Sequence, residues 1–254
     1  MSARPTRRQF LRGAAGVLGL AGAVGAGGLL VGRDTSAPPP QRVPVPGRAP
    51  TDAVSTLEWV HSAARGGAVR LVTVLPPGAD RAPLPVCVGL HGLRGNALWW
   101  ADPGKRAILG AAWARGTPTF ALVAVDGGDS YWHPFRAGDD PLRMLLEELP
   151  GWLHARGLAA APALGDRPGE PALVTGVSMG GAGALLYARE RRRLQRPVRA
   201  VAALSPGLFT DWQVAARRPF RGPDDWAAND PLRFFPELAG VPTGIWCGDR
   251  DPFV

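Results

Sequence analysis

With 254 residues and 46% apolar content, the chain has enough material for one sizeable α/β domain rather than two. Its net charge of +8 would fit a polyanion-binding surface, but residues 1–48 carry seven arginines against a single acidic residue, Asp34. The body left over is nearly neutral, about +2, and shows no basic face for a nucleic acid.

The chain opens with Thr6-Arg7-Arg8-Gln9-Phe10-Leu11-Arg12, followed by an uncharged run from Gly13 to Gly32. A twin arginine, a Phe-Leu pair and a weakly apolar Gly/Ala-rich segment form the layout of a twin-arginine export signal, expected over residues 1–35. The export machinery is then a partner, and the protein is expected outside the cytoplasm, secreted or anchored at the cell envelope. The run is long enough to span a bilayer, so membrane association through residues 13–32 stays open; eight glycines among those twenty residues lower its hydrophobicity. Residues 36–50 hold six prolines and read as a stiff, extended linker. The folded domain is expected over 51–254.

Within that domain, Val69–Leu75 reads as a strand stopped by Pro76-Pro77-Gly78. Pro85–Leu90 is a continuous apolar run, as expected of a central parallel strand buried on both faces. A helical stretch around Lys105–Arg115, a strand at Thr119–Val125 and an amphipathic helix over Asp140–Arg156, its second half interrupted by proline, follow. The next strand, Ala172–Thr175, runs into a helix that opens through Gly181, Ala182 and Gly183. Further strands are expected at Val198–Leu204 and Thr243–Cys247. Strands alternating with helices argue for a mainly parallel sheet with right-handed crossovers, with ligands beyond the carboxyl ends of its strands. His91, Asp126, Ser178, Ser205 and Asp251 all fall at those ends. In an exported protein Cys87 and Cys247 could pair, but their strands are not neighbours in such a sheet, which favours two buried thiols.

The chemistry centres on Gly176-Val177-Ser178-Met179-Gly180, a G-x-S-x-G pattern between a strand and a helix. A turn that tight needs glycine on both sides of the serine and leaves Ser178 alone above the sheet as a nucleophile. A serine hydroxyl requires a histidine base, and the base requires an acid to fix its tautomer. Asp251, just past the last strand, is the acid candidate, with Asp249 second. The backbone amides of Met179 and Leu93 are the expected oxyanion donors. Of the four histidines, none follows Ser178 in the sequence; His61 and His154 read as surface residues and His91 as structural. His133, Arg94 and Trp132 are candidate substrate contacts, and Trp99, Trp100, Tyr131 and Trp226 further aromatics at the presumed mouth. This chemistry calls for no cofactor and no metal.

Four segments together resemble the α/β-hydrolase esterases that include the mycolyltransferases and S-formylglutathione hydrolase-type esterases. They are His91-Gly92-Leu93-Arg94, Gly176-Val177-Ser178-Met179-Gly180-Gly181, Asp225-Trp226-Ala227-Ala228-Asn229-Asp230-Pro231, and Trp246-Cys247-Gly248 followed by Asp251-Pro252-Phe253. The resemblance implies an α/β-hydrolase fold, Ser178 as nucleophile, Asp251 as acid, the Leu93 amide as a donor and Arg94 facing the substrate. It also implies a further strand, helix and histidine-bearing loop after Val254, so the domain is expected to lack its C-terminal strand and helix and to expose apolar surface at the sheet edge. The expected function is an exported serine esterase or acyltransferase acting on a small-molecule, lipid or sugar ester. The alternative is a non-catalytic or truncated hydrolase-fold binding protein.

Overall fold

The computed structural model describes residues 53–79, 84–159 and 168–251. The expected export segment and Pro-rich linker, residues 1–35 and 36–50, lie outside the described residues, as do Pro252 and Phe253.

Seven strands form one sheet: β1 (Val54–Ser62), β2 (Gly67–Leu75), β3 (Val86–Leu90), β4 (Ala121–Val125), β5 (Leu173–Val177), β6 (Ala200–Leu204) and β7 (Thr243–Trp246). Their order is β1-β2-β4-β3-β5-β6-β7. β1 and β2 pair antiparallel, as do β2 and β4, whereas β4, β3, β5, β6 and β7 run parallel. This is the mainly parallel sheet of the α/β-hydrolase fold, with the Ser178 strand beside its centre.

Burial along the strands shows how the sheet is covered. Every residue of β3 and β4 is buried, as the unbroken apolar runs require. In β5 and β6 buried and half-buried positions alternate, so only one face there is fully packed. That face sends Val88, Leu90, Val174, Val201 and Ala203 against the long helix α3 (Met179–Arg193) and the helical segment ending in α2 (Leu149–Ala155). The other face is covered near β2 and β4 by α1 (Pro103–Ala114) and the turn before it, where Trp100 and Trp113 pack on Val72, Val74, Leu122 and Ala124. Across β5, β6 and β7 it opens as an apolar trough of about 650 Å³ lined by residues such as Leu173, Ala202, Gly244 and Trp246.

Two differences from the sequence reading have physical causes. β1 was not expected, because an edge strand that leaves Val54, Leu57 and Trp59 exposed does not produce a clean buried face in the sequence. The helix expected over Asp140–Arg156, with a proline interruption in its second half, already departs from α geometry ahead of the proline: Met144–Glu148 forms a π-turn just before Pro150, which has no N–H to continue the α-helical ladder. The Glu148 carboxylate accepts there from the Ala64 amide at 2.8 Å and from the Ser62 hydroxyl, tying this segment to the end of β1.

Candidate active site

β5 ends at Val177 and α3 begins at Met179, so a single residue turns the chain. Ser178 makes that turn at φ 53° and ψ −118°, a left-handed conformation that costs about 1–3 kcal/mol for a residue with a side chain. Contacts around it hold the strain in place. A Cβ on Gly176 would lie 2.0 Å from the Gly180 carbonyl oxygen, and one on Gly180 would lie 2.2 Å from the Leu90 carbonyl oxygen. The Ser178 amide donates to the Leu204 carbonyl at 2.9 Å, and its own carbonyl accepts from Ala182 at 3.1 Å and Gly207 at 2.9 Å. The residue is nevertheless exposed, and its hydroxyl caps no helical amide. The backbone is pinned while the side chain is left for a ligand.

The loop after β3 presses against this elbow. A Cβ on Gly92 would stand 3.5 Å from the Ser178 Cβ. The Gly95 amide donates to the Gly92 carbonyl at 3.0 Å and Arg94 sits at φ 59°, closing a turn with Leu93 and Arg94 at its corners. The Arg94 amide is anchored on Asp129 Oδ1 at 2.6 Å. Among the described residues the Leu93 and Met179 amides donate to no acceptor, so both remain available beside the hydroxyl. Met179 also starts a helix of 15 residues, whose N-terminal dipole favours negative charge there. Arg94 is exposed, with no acceptor for its guanidinium among the described residues.

His91 holds the loop from beneath. Its Nε2 accepts from the Gly127 amide at 2.9 Å, which leaves Nδ1–H to donate to the Gly92 carbonyl at 2.8 Å. Both nitrogens are committed, and burial lowers the pKa, so the ring is neutral and structural, in line with its reading from sequence. Asp126 is similarly occupied, accepting from Ala97 at 2.8 Å and from Arg70 Nε at 2.7 Å.

Two expected substrate contacts do not face a ligand. Trp132 is fully buried; its indole fills the space over Gly127 and Gly183 and donates from Nε1 to the His91 carbonyl at 3.2 Å. His133 is equally buried, stacked on Phe220 with ring centroids 5.1 Å apart. Among the described residues neither His133 nitrogen has a partner at full hydrogen-bond geometry; the Pro134 and Pro219 backbone lies near the ring, and Asp225 Oδ1 stands 3.9 Å from Nδ1. Both side chains follow a turn in which Tyr131 and Trp132 have positive φ, which sends them into the core. Trp100 and Trp226, expected at the mouth, are core residues too. The remaining histidines are exposed, His61 on the edge strand β1 and His154 on α2. No hydrogen bond joins an imidazole to Ser178 among the described residues.

Asp251 follows β7 on the same rim as Ser178, with β6 between their strands. Its Oδ2 lies 3.3 Å from the Cys247 thiol, which in turn is 3.7 Å from Ser205 Oγ. Cys247 is therefore only half-buried, unlike Cys87, because it sits where the sheet rim opens rather than inside a strand. Asp230, missed as a site element in the sequence, is a buried carboxylate that accepts from the Phe209 amide and Trp226 Nε1, both at 3.1 Å, and from the Leu232 amide at 2.9 Å. Burial pushes its pKa up to about 6. It fastens the Asp225–Pro231 segment to the loop that passes Ser178.

Comparison with known proteins bears on the family and the fold. Residues 62–246 match the family model described as "Putative esterase". Among solved structures the chain is similar to a ferulic acid esterase (18% identity, TM-score 0.54, covering 78% of this chain and 90% of that one). It is similar also to an S-formylglutathione hydrolase from Agrobacterium tumefaciens (16% identity, TM-score 0.56, 79% and 88% covered). An esterase from Pyrobaculum calidifontis shares the fold at 19% identity and a TM-score of 0.52, with 75% of this chain and 65% of that one covered. At these identities the structural likeness concerns the fold alone. No curated protein sequence matches the chain.

The buried His133 generates a pH dependence of stability. Burial holds its folded-state pKa below the ordinary 6.5, so its neutral form contributes stability in full above about pH 6.5. That contribution is lost as the pH falls through the folded-state value. Asp230 acts in the opposite sense, gaining a proton as the pH drops through about 6. Comparing the chain with His133→Phe cancels the Asp230 effect. In urea titrations from pH 8 to 5 the variant is expected to gain stability relative to the native chain as the pH falls. A constant difference across that range would contradict a buried neutral His133.

Proposed function

This chain belongs to the esterase family, and on that premise we propose that it attacks carboxylic esters with the Ser178 hydroxyl. The observation that carries the reading is the exposed, strained serine beside two unoccupied main-chain donors, Leu93 and Met179. Ser178 Oγ adds to the ester carbonyl carbon and gives its proton to a base. The carbonyl oxygen becomes an oxyanion held by the two amides, at a point the α3 dipole also favours. Collapse expels the alcohol, which takes up the proton, and leaves the acyl group on Ser178. Water or an acceptor hydroxyl then releases it, so hydrolysis and transfer share one acyl-enzyme. Asp251 is the proposed acid and Arg94 a substrate contact.

The base that takes this proton is not among the partners of Ser178 in the described residues, where no imidazole is hydrogen-bonded to it. A positioned base contributes about 10²–10⁴-fold to such a step. The same observation favours a second reading, a hydrolase-fold protein that binds esters in this cleft without turning them over.

Added imidazole separates the two. With p-nitrophenyl acetate, the first-turnover release of p-nitrophenol should rise with imidazole concentration in the native chain, above the rate measured with Ser178→Ala. One acetyl group should remain on the protein. Identical traces for both proteins at all imidazole concentrations would exclude Ser178 as the attacking group and favour the binding protein.

We propose further that the Arg7-Arg8 segment directs export of the folded protein, with residues 13–32 as the apolar part of the signal. In a bacterial host, Arg7→Lys with Arg8→Lys should hold the protein in the cytoplasmic fraction. Unchanged appearance outside the cytoplasm would contradict that route.

A further inference from the structure

Two peptides set the turn that carries the Leu93 amide, and they are held very differently. In the first, the Gly92 carbonyl accepts from the Gly95 amide at 3.0 Å and from His91 Nδ1 at 2.8 Å. That carbonyl and the Leu93 N–H lie in one planar trans peptide and point in opposite directions, so fixing the oxygen aims the donor. The second peptide, Leu93 C=O to Arg94 N–H, has no such double support. The Gly95-to-Gly92 bond, a negative φ at Leu93 and φ 59° at Arg94 together make residues 92–95 a type II turn. That form asks for glycine at its third position. An arginine there favours type I, in which the middle peptide is turned over.

Asp129 opposes that flip. Its Oδ1 accepts from the Arg94 amide at 2.6 Å, and among the described residues the middle peptide makes no other hydrogen bond. Turned over, the peptide would bring the Leu93 carbonyl oxygen toward the carboxylate in place of the N–H, exchanging an attraction for a repulsion. Asp129 itself makes no other hydrogen bond and no ion pair among the described residues. The loop that presents it is firmly tied. The Asp126 amide donates to the Arg70 carbonyl at 3.3 Å, the Gly127 amide to His91 Nε2 at 2.9 Å, and Arg65 Nη1 to the Asp126 carbonyl. Asp129 is exposed, so shortening its side chain opens no cavity in the core.

We propose that Asp129 is a positioning residue of the active site: its carboxylate keeps the Gly92–Gly95 turn in the type II form and so keeps the Leu93 amide in place beside Ser178. The loop has little slack there, since a Cβ on Gly92 would stand 3.3 Å from the Val177 carbonyl oxygen and 3.5 Å from the Ser178 Cβ. Asp129 acts only through the Arg94 main chain and touches neither the ester nor the reacting atoms. The assignment rests on the esterase reading, which supplies the oxyanion that the Leu93 amide meets.

The imidazole-assisted first turnover of p-nitrophenyl acetate reads the effect, counted as the part of the rate that Ser178→Ala lacks. Losing one oxyanion donor outright slows such a step by about 10²–10³-fold, and a turn released to exchange between two forms loses part of that. Asp129→Ala should therefore slow the Ser178-dependent release about tenfold, with the urea midpoint unchanged. Asp129→Asn keeps an acceptor oxygen and should restore the rate to within about twofold. In an Arg94→Gly background, where φ 59° is free of side-chain strain, Asp129→Ala should slow release by less than about twofold. A rate unchanged by Asp129→Ala, a loss that Asp129→Asn does not restore, a loss matched by a lower urea midpoint, or an equal loss in the Arg94→Gly background would overturn the proposal and leave Ser178 as the nucleophile. Release that depends on Ser178 in none of these proteins would remove the esterase reading and the proposal with it.

Discussion

The structure depends on how closely three stretches of main chain approach one another at the end of β5. The Gly180 carbonyl comes within 2.0 Å of where a Gly176 Cβ would be, and the Leu90 carbonyl within 2.2 Å of where a Gly180 Cβ would be. No residue with a side chain fits at either point, so strand, turn and helix lock together only with glycine at both. The lock forces Ser178 into its left-handed conformation. An unstrained residue there would swing the helix away from β3, and the Leu93 turn would lose its place against the serine. Nucleophile position, helix dipole and oxyanion donors thus follow from one packing constraint.

Around that lock the molecule separates groups that hold shape from groups that remain open. His91 and Asp230 are buried and Asp126 is half-buried, and all three are held by hydrogen bonds within the protein: His91 to Gly92 and Gly127, Asp126 to Ala97 and Arg70, and Asp230 to Phe209, Trp226 and Leu232. Ser178, Leu93 and Arg94 are exposed on the same rim, with donors or hydroxyl unengaged. Charge follows this division. Burial keeps His91 neutral, so its ring serves as a hydrogen-bonded support of the loop rather than as a charge. Positive charge stands instead on the exposed Arg94 of the loop after β3.

Much of this was legible in the sequence, because the features that specify it are local. The apolar runs gave the central strands to within a residue or two, and the serine between Gly176 and Gly180 could mark only a turn of this kind. The Gly92-Leu93 loop was readable since glycine beside a strand end signals close approach. Side-chain direction was not readable. Trp132 and His133 lie at the rim in sequence terms yet point into the core, and only the positive φ of Tyr131 and Trp132 decides this. The exposure of Cys247 and the burial of Asp230 likewise depend on contacts between segments tens of residues apart. The edge strand β1 escaped because it buries too little to leave a pattern.

The central claim is that the Ser178 hydroxyl, and no other, is the group presented to an electrophile. Reaction of the chain with a fluorophosphonate in the presence of imidazole, followed by peptide mapping and a crystal structure of the product, tests it most directly. The account predicts one phosphonyl group, on Ser178, with its phosphoryl oxygen within hydrogen-bonding distance of the Leu93 and Met179 amides. Phosphonylation of Ser205 or of a tyrosine in place of Ser178, or a phosphoryl oxygen turned away from both amides, would contradict it.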